Sequence, residues 1–107
     1  MGKKNSNVYD TGTGIKERID YKIKEPNHYT VVMLNDDLTP MDFVVEDLKL
    51  VFHKSDTEAT ELMLLVHRSG QAEVGTYTYD IAVSKRAMAM SMAKEAGYPF
   101  RVEVIES

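Results

Sequence analysis

An α+β domain, with three helices packed on a small three-stranded antiparallel sheet in the order β-α-α-β-α-β, is predicted for this chain of 107 residues by three observations. Apolar residues recur at three- and four-residue spacing in three separate stretches. Short β-rich runs precede, divide and follow those stretches. Helix start and stop residues stand at the boundaries between them. Such a pattern places helices on one face of a sheet.

The first run, His28 to Leu34, is β-rich and alternates poorly, as expected of a strand buried on both faces. A strongly marked helix start follows, with Thr39 predicted as N-cap, Pro40 at the first helical position and Asp42 completing an acidic variant of the capping box. Met41, Val44, Val45, Leu48, Val51 and Phe52 form the apolar stripe of that helix, which leaves Asp42, Glu46, Asp47 and Lys49 outside it. Ser55 and Glu58 form a second capping box, Ala59, Leu62, Met63 and Val66 repeat the stripe, and Gly70 is placed to end the helix in the left-handed conformation. Ala72 to Tyr79 reads as a strand with a bend or bulge at Gly75. Asp80 to Ala96 is the third helix, with Ile81, Met88, Ala89, Met92 and Ala96 on one face and Gly97 as its stop. Pro99 opens the last strand, where Phe100, Val102 and Val104 face one way and Arg101 and Glu103 the other.

Length and composition confine this to one small domain. With no cysteine there is no disulfide, thiolate chemistry or cysteine-based zinc site. A net charge of −4 lacks the clustered basic surface that nucleic acid requires. Apolar runs are too short to span a membrane, and no apolar core of a signal peptide is present, so a soluble, cytoplasmic protein is expected. Residues 1–26 carry six basic and four acidic side chains with no apolar period, and are expected to form a mobile N-terminal tail. Residues 27–107 carry seven basic and thirteen acidic side chains, a net of −6, which suits a neutral or positive partner surface.

Chemistry-bearing residues are few. Asn35-Asp36-Asp37 lies between a strand end and a helix start, so Asn35 and Asp36 offer an amide and a carboxylate to one point. Two readings stand: a solvated turn in which Asn and Asp bond their own backbone, or a cluster suited to a small cation. His67 lies one residue beyond Val66 of the second stripe. Either the helix macrodipole holds it at a C-terminus, or it borders a cleft between that helix and the Asn35 loop. His28, His53 and His67 have no i,i+4 relation, so neither a metal nor another cofactor is expected. No hydroxyl nucleophile stands with a histidine and an acid, and no glycine-rich phosphate loop occurs. The seven methionines either fill core gaps or, at Met41 and Met63, line an adaptable apolar pocket.

Motifs in order along the chain carry a further inference. They are N-D-D-L-T-P-M-D-F-V-V at 35–45, M-L-L-V-H at 63–67, G-Q-A-E-V-G-T-Y at 70–77, D-I-A-V-S-K at 80–85 and G-Y-P-F at 97–100. With them, the chain from about Tyr29 onward closely resembles the ClpS adaptors, bacterial proteins that recognise N-terminal destabilising residues and pass their substrates to a Clp ATPase. The resemblance implies a monomeric, non-enzymatic adaptor for proteins beginning with Phe, Tyr, Trp or Leu. It assigns Asn35, Asp36 and His67 to the substrate's α-amino group, and Met41, Val44, Met63, Val66 and Phe100 to its first side chain. Thr39 is implied to position the loop and touch the peptide. Asp80 and Lys85 match the contact with the N-terminal domain of a ClpA-like ATPase. Phe100 stands where the family often has leucine, and Asp80 where it usually has glutamate. The chemistry is consistent, since an α-ammonium has three donors and a charge that an amide oxygen, a carboxylate and an imidazole nitrogen can satisfy. Two other readings are a ribosome-associated or other structural docking module, and a metal-assisted or acid–base hydrolase on the Asn35, Asp36 and His67 cluster. The hydrolase reading lacks a second base and ligands at metal spacing.

Overall fold

The computed structural model describes residues 28–107, and the tail expected over residues 1–26 lies outside them. The elements run β1 (Tyr29–Leu34), α1 (Met41–Phe52), α2 (Asp56–Ser69), β2 (Gln71–Tyr77), α3 (Tyr79–Ala96) and β3 (Arg101–Glu106). Both β2 and β3 pair antiparallel with β1, which is the central strand. This is the predicted β-α-α-β-α-β order, with boundaries shifted by one or two residues.

The central place of β1 accounts for its unbroken apolar run. Val31 and Met33 enter the helix-covered core, while Val32 is buried on the other face of the sheet. There its cross-strand neighbours are Glu73 and Glu103, long side chains whose methylene stems can cover apolar surface. The predicted bulge in β2 is present: Val31 pairs with Gly75 and Val32 with Glu73, so Val74 is the extra residue. A Cβ at Gly75 would come within 2.5 Å of the Tyr77 hydroxyl, so a larger residue there requires the Tyr77 ring to move.

Helix α2 has both of its predicted ends. Glu58 donates its backbone N–H to Ser55 Oγ, the Ser55 N–H donates to Glu58 Oε1, and Gly70 closes the helix at φ 90°. Helix α1 starts differently. Pro40, extended at φ −63° and ψ 146°, occupies the cap position without a side-chain bond, and its carbonyl accepts from the Phe43 and Val44 N–H groups. Thr39 is therefore not the N-cap, because its hydroxyl is engaged by Asp36 instead. At the far end of α1, His53 is left-handed at φ 56°.

Two stripe assignments also change. Asp47, expected outside, is completely buried, since it lies three residues after Val44 and four before Val51 on the inward side of α1. On α3, Ala89 is buried and Met92 packs partly buried against the core as expected, but Ala82 and Ala93 are buried too, whereas Ile81 and Met88 are half exposed and Ala96 is exposed. The small alanine side chains let the helix approach its neighbours closely, so the seam runs through Ala82, Ala89 and Ala93 and leaves Ile81 and Met88 outside it.

Candidate functional site

The end of β1 meets the start of α1, the last turn of α2 and the residue before β3, and a cavity of about 250 Å³ lies between them. The first support is local. Asp36 Oδ1 accepts the N–H groups of Leu38 at 2.9 Å and Thr39 at 2.8 Å, and Oδ2 accepts the Thr39 hydroxyl at 2.7 Å. This is an Asx-type turn reinforced by a threonine, and it fixes the loop that Pro40 joins to α1. Burial by itself raises the Asp36 carboxyl, but the three hydrogen bonds outweigh it and hold the group below its ordinary value. An ionised carboxylate has about four lone-pair sites, so one is left for a cation.

The second support is tertiary. The backbone N–H of Asn35 donates to the Gly70 carbonyl at 2.9 Å, which ties the loop to the C-cap of α2. His67 lies in the last turn of that helix, so this bond sets Asn35, Asp36 and His67 around one opening. The end of α2 presents the negative pole of its dipole there, and Asp37 adds a second carboxylate, so the opening favours positive charge.

Below the polar rim the walls are apolar. Met41, Val44, Met63, Val66 and Phe100 line the cavity together with Thr39. Val44, Val66 and Phe100 are buried, while Met41 is 43% exposed and stands at the mouth. Phe43 braces the Phe100 wall from behind, edge-on to the rings of Tyr98 at 5.0 Å and Phe100 at 6.2 Å. All nine pocket residues expected from the sequence thus line one cavity. Leu34, Asp37 and Pro40 line it as well. They went unassigned because their local roles, as strand end, turn and helix start, already accounted for them.

Asp80 and Lys85 lie apart from this cavity. Asp80 is exposed in the first turn of α3. Lys85 donates from Nζ to the Val51 carbonyl at 2.9 Å and lies near the rings of Phe52 and Tyr77. Five residues on an α-helix amount to a turn of about 140°, so the two do not share one narrow face. Among the described residues no group of three potential metal-ligating side chains converges, and no helix is long and apolar enough to cross a membrane.

A family model described as the ATP-dependent Clp protease adaptor protein ClpS matches residues 24–103, a span that includes every residue lining the cavity. The chain belongs to the ClpS family of Clp protease adaptors. It is 52% identical over 87 residues to the ATP-dependent Clp protease adapter protein ClpS of Acetivibrio thermocellus, covering 81% of this chain and 88% of that one. With the protein of the same description from Treponema denticola it is 49% identical over 86 residues, covering 80% and 85%. The structure of Agrobacterium tumefaciens ClpS2 bound to L-phenylalaninamide superposes with a TM-score of 0.76 at 38% identity, covering 78% of this chain and all of that one.

Proposed function

We propose that this protein is a non-enzymatic adaptor that binds the free N-terminus of proteins beginning with Phe, Tyr, Trp or Leu and delivers them to a Clp ATPase and its peptidase. The observation that carries this reading is a cavity that joins an anionic rim to an apolar interior. Its volume of about 250 Å³ lies just under the ~300–1,000 Å³ usual for larger ligands, which suits one bulky side chain. Asn35, Asp36 and His67 take the α-ammonium, and Met41, Val44, Met63, Val66 and Phe100 enclose the side chain. That a related ClpS2 is bound to phenylalaninamide, an aromatic amino-acid amide with a free α-amine, supports binding of such an N-terminus.

Delivery is assigned to two other parts. Asp80 at the start of α3 is exposed to a partner, and Lys85, with one donor on Val51, keeps two for the N-terminal domain of a ClpA-like ATPase. Residues 1–26 are assigned to substrate transfer in the cytoplasm. Removing residues 1–20 is expected to leave peptide affinity unchanged and to slow degradation of the delivered protein.

The deciding experiment titrates a Phe-initiated peptide and its N-acetylated form. Acetylation removes the charge and leaves Asp36 facing an unpaired site, at a cost of about 1–3 kcal/mol. At least a tenfold loss of affinity is expected, and equal affinity for the two peptides overturns the reading.

A further inference from the structure

Asp47 stands out from every other charged residue among those described. Its side chain is 0% exposed, and neither carboxylate oxygen has a hydrogen-bond partner. An ionised carboxylate in such a place loses its hydration with nothing to replace it. Burial accordingly pushes its carboxyl from 3.8 up to about 7.

Among the described residues no charge compensates it. On α1, Lys49 pairs outward with Asp56 at 2.6 Å and Glu46 at 3.6 Å. On α3, Lys85 gives its amine to the Val51 carbonyl and Arg86 gives Nε to the Val102 carbonyl. On α2, Glu58 closes its own capping box and Glu61 is exposed.

The position of Asp47 connects it to the cavity. Phe43, Asp47 and Val51 follow one another at four-residue steps along one side of α1. At one end of this row Phe43 packs on Tyr98 and Phe100, and at the other the Val51 carbonyl receives Lys85. Asp47 therefore lies on the side of α1 turned toward α3, one turn below Val44 of the cavity wall.

We propose that Asp47 is a proton-controlled latch for α1: with its carboxyl neutral the helix seats against α3 and holds the cavity wall, and loss of the proton unseats the first turns of α1 and weakens binding of the peptide N-terminus. The second half of this statement rests on the cavity being the peptide site. The first half does not.

Two measurements on the full chain test the halves separately, each comparing wild type with Asp47→Val and Asp47→Asn. The valine variant fills the site without charge, and the asparagine variant keeps the shape should valine fail to pack. His28, His53 and His67 are present in all three proteins and cancel in the comparison. Hydrogen exchange of the α1 amides is read at pH 6 and 8, relative to the variants. Release of one proton predicts about a tenfold greater opening of α1 in wild type across this interval. Exchange that keeps the same ratio to both variants overturns the latch. Affinity for a Phe-initiated peptide is measured over the same range and is expected to fall at least threefold more in wild type than in either variant. Parallel affinity curves overturn the link to the cavity. If no protein binds the peptide even at pH 6, the recognition reading fails, and the exchange result still decides the latch.

Discussion

Asp36 and Asp47 stand on either side of the start of α1 and show opposite electrostatics. Asp36 is partly exposed and receives three hydrogen bonds within its own loop, which keep it ionised. Asp47 is wholly buried, receives none, and has its carboxyl raised to about 7. The comparison shows that donors aimed at a carboxylate together with access to water make a group that organises structure, whereas burial without donors makes one that strains it. The pH dependences have opposite sign. Asp36 contributes stability above the ordinary carboxylate value and loses it as the pH falls below. Asp47 makes the native state bind more protons than the unfolded chain between pH 3.8 and about 7, so its part of the stability falls as pH rises through that window.

Asp47→Val is expected to produce the largest effect. A carboxyl moved from 3.8 to about 7 corresponds to about 4 kcal/mol of native-state penalty above pH 7. The variant should be more stable than wild type by up to that amount at pH 8, with the gap narrowing toward pH 4. Denaturant unfolding at the two pH values measures it, and a variant less stable than wild type at pH 8 contradicts the account.

Asp36→Ala should act in the other direction and on a different observable. It removes the acceptor of the Leu38 and Thr39 bonds and the anion proposed for the ammonium, at a cost of about 2–3 kcal/mol in peptide affinity. Asp36→Asn, which keeps one acceptor oxygen, should recover part of the loss, and calorimetric titration distinguishes the two.

Met41→Ala sharpens the contrast between rim and wall. A methionine at the mouth fits over a side chain that is unbranched at its β-carbon and collides with the added methyl of Ile or Val. Removing it should raise affinity for Ile- and Val-initiated peptides by about 1 kcal/mol, with little cost for Phe or Leu. Trp should be the ligand most penalised by Phe100. If the Ile and Val peptides gain nothing, the gate lies elsewhere.

The smallest effect is expected at the other end of α1. His53 takes the left-handed conformation that Gly70 and Gly97 take at the ends of α2 and α3. Glycine removes the steric cost of that conformation, so His53→Gly should stabilise the domain by about 0.5–1 kcal/mol, read as a rise in Tm. Peptide affinity should not change.

Much of the fold was legible because its signals are local. The Ser55–Glu58 capping box, the glycines that stop α2 and α3, and the apolar run of β1 each act within a few residues. The bulge was legible for the same reason, since a glycine inside a strand often marks a bulge. Where the reading failed, two local signals competed. Thr39 has the chemistry of an N-cap, yet its hydroxyl bonds Asp36, which reaches it across the turn. Ile81 and Met88 are bulkier than Ala82 and Ala89 and follow the same seven-residue spacing, so periodicity alone could not choose between the rows.

By itself, the sequence determined the order of the six elements, the faces of α2 and β3, and residue types suited to a small cation and an apolar pocket. These follow from helical and strand periodicity and from side-chain chemistry, properties that each segment carries alone. Tertiary structure decided the rest. The Asn35 bond to Gly70 sets two distant segments around one opening, Lys85 turns its amine onto Val51, and the elements packed on the inward side of α1 enclose Asp47 despite its charge. In each case the outcome depends on which backbone or side chain another element brings within a few ångströms, and no local window of sequence contains that partner.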